Sequence, residues 1–431
     1  MQIFLVILFT IFSVTAFWFF LRGKYKLSPL WLMLSVWFIA IAISQLNLST
    51  LELDWPGKYW YLLGISLVSF VLGFIVFDNW SPLRVIRKKS QSLIPRSFSS
   101  SETDNSKLRY VIYFLFGTSL LALYMFYQRA GNFPLLSPDP DAFRFAADEK
   151  VPGLINYGAQ LARIFIPLSF FYMFWQGFNW RKHADLIAIS VVGIVFITLF
   201  ASRTQIFFVD LWIMGLYLLM RKPNWKQALK FYPIFLLVSV FVLAAVPLIR
   251  QTKSYGPDYL GSITGIDSSN YNKLQKALVP IYVGVAFNQQ ALLHAWQYYQ
   301  VNPVQHGKVS LDPFTNILGL DQFRSNYNLG EIFYSWWNTG TYLFPFVQDF
   351  GEAAFYFIPF LIAGLLTILW QYWRSNPNFL SINLYAYAYF FMVMTVYLSF
   401  TVRAEMYLDL ALLVLVYLFI IHDSKRHSSH I

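Results

Sequence analysis

The stretch "IFLVILFTIFSVTAFWFFL", residues 3–21, contains no charged side chain and only three hydroxyl side chains. A helix that crosses a lipid bilayer needs about 20 mostly apolar residues, so this stretch predicts a transmembrane helix. It has neither a basic segment before it nor a small-residue cleavage site after it. We therefore expect a retained helix rather than a cleaved signal peptide.

The rest of the chain has the same character. Hydrophobic residues make up 57% of its 431 positions and charged residues only 12%, which is too apolar for a soluble protein of this length. We predict an all-α polytopic membrane protein with about 11 transmembrane helices. The predicted helices cover residues 3–21, 29–46, 59–77, 109–127, 156–177, 185–201, 204–220, 231–249, 350–372, 381–400 and 405–422.

Lysines and arginines predict how these helices are oriented. With the N-terminus outside, the loops on the cytoplasmic side carry a large excess of basic over acidic residues, whereas the outer loops do not. This distribution is the positive-inside pattern of membrane proteins. The net charge of +11 is therefore a signal of topology, and it does not indicate a nucleic-acid partner.

The predicted topology divides the chain into three parts. Residues 1–249 hold the first eight helices and a Ser-rich, basic cytoplasmic loop at 78–108. Residues 250–349 form a large extracytoplasmic loop rich in Tyr, Trp and Asn, where we expect function to lie. Within this loop "ALVPIYVGVAF", 277–287, is too short to span, so we expect a short helix on or in the membrane surface. Residues 350–431 hold the last three helices and a cytoplasmic tail.

Arginines recur at the predicted outer ends of the helices, at Arg129, Arg163, Arg203, Arg250 and Arg403. The planar guanidinium can hold a phosphate through two hydrogen bonds, and it never loses its charge. Lysine, which is plentiful on the inner side, occupies none of these positions. The set suggests a site for a phosphorylated or pyrophosphorylated lipid. The alternative is that each arginine reaches lipid headgroups at the interface.

Carboxylates at the outer side are candidates for acid–base chemistry. Asp349 and Gly351 lie where the long loop becomes a helix, so an acceptor or base meets a tight turn there. Glu405 and Asp409 lie one helical turn apart, beside Arg403. Interaction with a helix dipole explains Asp349 equally well, and ion pairing with an arginine explains the other two.

The sequence contains few other candidates for catalytic, cofactor-binding or metal-binding residues. The chain has no cysteine, which excludes disulfides, thiolate catalysis and cysteine-bound zinc. Neither a Walker motif nor a Rossmann glycine fingerprint is present, so no cofactor is expected. Asp139 and Asp141 form a D-x-D that fits either a divalent ion or an ordinary Pro-Asp loop, and the six histidines lack metal-binding spacing. We expect no metal site, and among the histidines only His294 is placed to act as acid or base.

Four stretches carry a family resemblance: "GNFPLLSPDPDAFRF" (131–145), "ASRTQIFF" (201–208), the long outer loop, and "NTGTYLFPFVQDFGEAAF" (338–355). In this layout the chain resembles the O-antigen polymerases, also called oligosaccharide repeat-unit polymerases. The stretch "RQTKSYGPDYLG" also fits the R-x10-G pattern of some members, through Arg250 and Gly261.

The resemblance implies a metal-independent glycosyltransferase of the GT-C type in the cytoplasmic (inner) membrane of a bacterium. It would transfer a growing glycan from undecaprenyl pyrophosphate to a hydroxyl of a lipid-linked repeat unit at the outer face. Its partners would be undecaprenyl-pyrophosphate-linked oligosaccharides, membrane lipids and a chain-length regulator protein. A ligase that uses the same fold, and a flippase that uses Asp210 and Asp409 for proton coupling, remain as alternatives.

The resemblance also suggests roles for individual residues. Asp349 or Glu405, or else His294, would orient or deprotonate the acceptor hydroxyl. Outer-loop aromatics, Trp336, Trp337 and Tyr342, would pack on sugars, unless they form an interfacial aromatic belt. The arginines assigned to the pyrophosphate are Arg144, Arg163, Arg203, Arg250, Arg324 and Arg403.

Overall fold

In the computed structural model the protein is helical throughout the described part of the chain. The structure describes residues 2–22, 25–80, 105–221, 259–267, 270–320, 329–335, 337 and 339–421, together with Pro223, Lys226, Gln227 and Leu237. Within these ranges there is no β-strand, only an isolated bridge between Ser49 and Ile266. The prediction of an all-α polytopic membrane protein is consistent with this architecture.

Seventeen α-helices, α1 to α17, follow one another in the described residues. In chain order they are Gln2–Arg22, Pro29–Ser44, Gly57–Asn79, Asn105–Ala130, Pro140–Lys150, Gly153–Ala159, Ala162–Gln176, Ala184–Leu199, Arg203–Arg221, Tyr259–Thr264, Lys273–Val301, Lys308–Leu318, Leu329–Ile332, Phe344–Phe350, Ala354–Ser375, Phe379–Met394 and Ala404–Ile421. Two short 3-10 turns lie at Pro134–Leu136 and Gly351–Ala353.

Six segments of the described chain are long and apolar enough to cross a bilayer, and they comprise α1, α3, α4, α9, α14 with α15, and α17. Three shorter apolar helices, α2, α8 and α16, match further predicted spans. The predicted span 231–249 falls outside the described residues except for Leu237, and so do residues 81–104 of loop 78–108.

Two predicted elements differ from the structure. The expected single span 156–177 is divided into α6 and α7 by a turn at Gln160 and Leu161, where the chain tightens and the Arg163 N–H bonds to the Gln160 carbonyl. The stretch 277–287 is not a separate short helix. It lies in the first half of α11, which is 29 residues long. Polar and aromatic side chains beyond 287 are buried against the protein, so the helix extends past its apolar part.

Close backbone packing sets the arrangement of the helices around the site. Helix α9 packs on α7 and α16, and α16 packs on α17. A Cβ atom added to Gly215 in α9 would lie 3.1 Å from the Ala386 Cα in α16, so a larger residue would push the two helices slightly apart. Beside this crossing, Phe208 and Phe390 pack edge to face at 4.5 Å between ring centroids. The start of α9 and the end of α16 are thereby held together at one end of the bundle.

Candidate functional site

A cavity of about 250 Å³ opens at this end of the bundle, between the starts of α7, α9 and α17 and the end of α16. We call it the arginine cavity. Uncharged polar groups on its wall include Ser202 and Thr204, on either side of Arg203. Its charged lining residues are Asp141, Arg144, Arg163, Arg403, Glu405 and Asp409.

A buried ion pair forms the floor of the arginine cavity. Arg163 Nη2 and Asp409 Oδ1 lie 2.9 Å apart, and the two side chains are only 7% and 4% exposed. Tyr157 donates a hydrogen bond to the same oxygen at 2.9 Å, and Tyr387 donates to Asp409 Oδ2 at 3.3 Å. Each charge is thus compensated within the protein, as buried charges must be.

Gln160, in the turn between α6 and α7, links this ion pair to the start of α9. Its Oε1 atom accepts hydrogen bonds from Arg163 Nη1 at 3.5 Å and from Gln205 Nε2. Its own amide donates to Asn156 Oδ1 at 2.6 Å. Arg163 Nε is buried and has no hydrogen-bond partner in the described part of the chain. This N–H group is therefore a buried donor that the described residues leave without an acceptor.

Arg403 and Glu405 lie at the start of α17, where both side chains are exposed and line the cavity. Neither side chain forms an ion pair or hydrogen bond with any residue that the structure describes. A cation and a carboxylate are therefore both accessible to a ligand, above the compensated pair on the floor.

Helix α5 contributes Arg144, whose Nη1 lies 4.0 Å from Asp141 Oδ1. Asp139 caps the same helix, because its Oδ1 accepts from the backbone N–H groups of Asp141 and Ala142 at 3.2 and 3.1 Å. The D-x-D motif therefore starts a helix after a Pro-Asp loop. Across the described residues, no three His, Asp or Glu side chains are grouped closely enough to hold a metal ion.

Arg203 is the first residue of α9, as its predicted place between two spans requires. The turn before it contains Ala201 with φ of 51°, a left-handed conformation that is strained for alanine. The Arg203 side chain lies outside what the structure describes, and so do Arg250 and Arg324. Arg129, exposed at the end of α4, does not line the cavity.

Asp349 lies elsewhere, fully buried at the end of α14. Its two carboxylate oxygens accept hydrogen bonds from the backbone N–H groups of Val309 and Ser310 at 3.0 and 2.7 Å. It thus caps the first turn of α12, a helix earlier in the chain. The expected tight turn is present, with Gly351 at φ of 58°. The structure does not bring Asp349 to the arginine cavity.

The remaining predicted site residues also lie away from this cavity. His294 in α11 packs on Phe333 at 4.9 Å between ring centroids, and burial lowers the pKa of its imidazole. Trp337 is half-buried and donates to Asn288 Oδ1 at 3.3 Å. Tyr342 is only 2% exposed, which leaves no ring face on which a sugar can stack. Trp336 lies outside the described residues.

Sequence reasoning missed several members of the site. It assigned no role to Tyr157, Gln160, Gln205 or Tyr387, and it did not pair Asp409 with Arg163. Tyrosine is common near membrane interfaces, so the presence of Tyr157 and Tyr387 alone carried no signal. A weak signal existed only for Gln205, which lies two residues after Arg203 on the same first helical turn.

No protein-family model, curated protein or solved structure matches this chain.

Proposed function

We propose that this protein polymerises lipid-linked oligosaccharide repeat units into a surface polysaccharide. The arginine cavity binds the pyrophosphate of an undecaprenyl-pyrophosphate-linked glycan. The observation that carries the proposal is the convergence of Arg144, Arg163 and Arg403, from three separate helices, on one cavity beside the first turn of α9. Guanidinium groups suit a pyrophosphate because they offer paired donors and a permanent charge.

The charges around the cavity indicate how the anion is held. Arg163 is neutralised by Asp409, and Arg144 has Asp141 beside it. Arg403 has no such partner among the described side chains. An incoming pyrophosphate therefore binds first to Arg403, with Arg163 and Arg203 completing the site. Because Asp409 neutralises Arg163, the empty cavity attracts unrelated anions less strongly.

The proposed reaction is a displacement at the anomeric carbon of the donor glycan. A hydroxyl oxygen of the acceptor repeat unit attacks this carbon, and the bond between the carbon and the pyrophosphate oxygen breaks. The electron pair leaves with undecaprenyl pyrophosphate, and the arginines stabilise the developing charge. Glu405 accepts the proton of the hydroxyl, because it is the exposed carboxylate on the cavity wall, whereas the oxygens of Asp409 are already hydrogen-bonded.

The location of the cavity supports this chemistry. It lies at the starts of α9 and α17 and the end of α16, the helix ends that the basic loops predict to face outside. A flippase would instead need a carboxylate that gains and loses a proton during transport. Asp409, the carboxylate that a flippase would use, is instead engaged by Arg163, Tyr157 and Tyr387, which argues for an enzyme.

Replacement of Arg203 by lysine tests the proposal. With normal protein levels, Arg203→Lys abolishes long-chain glycan, and single lipid-linked repeats accumulate outside, because an ammonium cannot reproduce the fork of the guanidinium. The matched control is Arg129→Lys, at the same end of the bundle but away from the cavity, and it leaves the glycan ladder unchanged. A normal ladder in Arg203→Lys contradicts the proposal. Repeats trapped on the cytoplasmic side indicate a flippase, and full-length glycan left unattached to its final acceptor indicates a ligase.

A further inference from the structure

A second cavity of about 190 Å³ lies beside the arginine cavity, between α2, α11 and the end of α16. Its lining contains no ionisable group other than the phenol of Tyr397. We call it the apolar groove, and the residues that define it here are Ile39, Phe207, Pro280, Gly284, Val393 and Tyr397.

The two cavities share a wall. Tyr397 lines both of them. Neighbouring residues of α9 divide between them, since Phe207 faces the groove and Phe208 the arginine cavity. On the far side of the groove, a Cβ atom added to Gly284 would lie 3.0 Å from the Tyr397 ring, so α11 packs directly on this dividing side chain. A molecule that fills both cavities has a charged part and an apolar part joined at Tyr397.

We propose that the apolar groove binds the isoprene units of the lipid carrier that adjoin its pyrophosphate. This inference rests on the proposed function, which places the pyrophosphate in the arginine cavity. Size limits the occupant: an apolar cavity of about 150 Å³ is known to hold one benzene molecule, so 190 Å³ accommodates roughly one or two five-carbon units. The rest of the polyprenyl chain stays in the bilayer.

The chemistry of the groove favours an isoprenoid over a saturated acyl chain. Lipid tails are as apolar as the groove, so burial alone supplies no driving force, and binding must come from close packing. A polyprenyl chain carries a rigid double bond in every unit, and it loses less conformational freedom on binding than a saturated chain. The groove lies at the ends of α2 and α16, next to the arginine cavity, where the first units would follow the pyrophosphate.

The test compares a headgroup alone with a headgroup that bears two isoprene units. Inorganic pyrophosphate and geranyl pyrophosphate are titrated against the full-length protein in nanodiscs. The variant Ile39→Trp fills the groove from α2, where Ile39 is 37% exposed, and Ile75→Trp is its control on α3, 47% exposed and in the lining of neither cavity. Val285→Phe fills the groove from α11 and replaces Ile39→Trp if that variant does not fold.

We expect geranyl pyrophosphate to bind the unaltered protein about tenfold more tightly than inorganic pyrophosphate. Ile39→Trp removes this advantage and leaves the affinity for inorganic pyrophosphate unchanged, whereas Ile75→Trp preserves both affinities. Equal binding of the two probes to the unaltered protein, or a full advantage retained in Ile39→Trp, overturns the groove assignment alone. Failure of both probes to bind at all overturns the proposed function and the groove assignment with it.

A photo-cross-linking residue at position 39 distinguishes the sources of the chain. In nanodiscs that contain both phospholipid and undecaprenyl pyrophosphate, mass spectrometry identifies the adduct. An adduct with undecaprenyl pyrophosphate supports the proposal. Adducts with phospholipid only show that bilayer lipid fills the groove, and they overturn it.

Discussion

The guanidinium of Arg163 and the carboxylate of Asp409 meet at 2.9 Å inside the helix bundle, although the two residues are 246 positions apart in the chain. Their contact joins α7 to α17 and gives the arginine cavity its floor. Removing one partner leaves the other charge buried and unpaired, which costs about 3–5 kcal/mol. Asp409→Ala is therefore expected to lower the free energy of unfolding by that amount, measured by denaturation in detergent.

A second ion pair provides the control for this measurement. Arg109 Nη2 lies 2.7 Å from Asp185 Oδ2, but these side chains are 37% and 33% exposed. Solvent screens such a pair, so Asp185→Ala is expected to cost about 1 kcal/mol or less. Equal losses in Asp409→Ala and Asp185→Ala would show that the Arg163 pair is not desolvated.

Arg403→Ala is expected to weaken pyrophosphate binding without loss of stability. The side chain is exposed and makes no ion pair with the described residues, so its removal leaves no buried group unsatisfied. A charge-assisted hydrogen bond contributes about 1.5–3 kcal/mol, which corresponds to roughly a tenfold to hundredfold loss of affinity. Titration calorimetry with inorganic pyrophosphate measures the effect, and Arg129→Ala is expected to bind as tightly as the unaltered protein. An unchanged affinity in Arg403→Ala removes this residue from the site.

Asp349 and Glu405 are expected to respond in opposite ways to substitution. Asp349→Ala leaves two N–H groups at the start of α12 without an acceptor and lowers stability by about 1–2 kcal/mol. The glycan ladder stays normal in this variant once protein levels are matched. Glu405→Gln retains the fold, because the side chain is exposed, but it abolishes polymer. Loss of polymer in a stable Asp349→Ala protein would make Asp349 the base instead.

Stability is expected to fall as the pH drops below about 6.5, with His294 as one cause. Burial lowers the pKa of His294 below this ordinary value, so in that range the unfolded chain binds a proton that the folded protein does not. Thermal unfolding at about pH 7.5 and about pH 5.5 measures the decrease, and His294→Gln is expected to reduce it. Burial lowers the pKa of His183 as well, and since His183 is present in both proteins the difference reports on His294. An identical decrease in both proteins would exclude His294 as a contributor.

The placement of helices along the chain was largely predictable. The turn that ends α8 at Leu199 and begins α9 at Arg203 falls where a charge interrupts two apolar runs. The division of 156–177 at Gln160 was not predictable, because both halves are apolar enough for one continuous span. Hydropathy averages over a whole helix and does not detect a break of one or two residues.

The candidate site was predictable only in part. Arg163, Arg403 and Glu405 were recognised as candidates because charges near the outer ends of apolar helices are conspicuous, and the structure brings them to one cavity. Asp349 was recognised for the same reason, but it caps α12 through the Val309 and Ser310 N–H groups. The position of Asp349 along the chain showed that its carboxylate lies at a helix end. It did not indicate which helix that carboxylate caps.

Apolar runs and the charges that flank them specify the class of the protein, the location of most of its helices and the ends at which its charges lie. These are local properties, since they depend on the length of an apolar run and on the residues that flank it. The pairing of Asp409 with Arg163 arises only when the helices pack, and so does the separation of a charged cavity from an apolar one by Tyr397. Such contacts depend on how distant helices are rotated and how closely they approach, as Gly215 allows α9 to approach Ala386. Packing of that kind is a property of the assembled bundle and of no single segment.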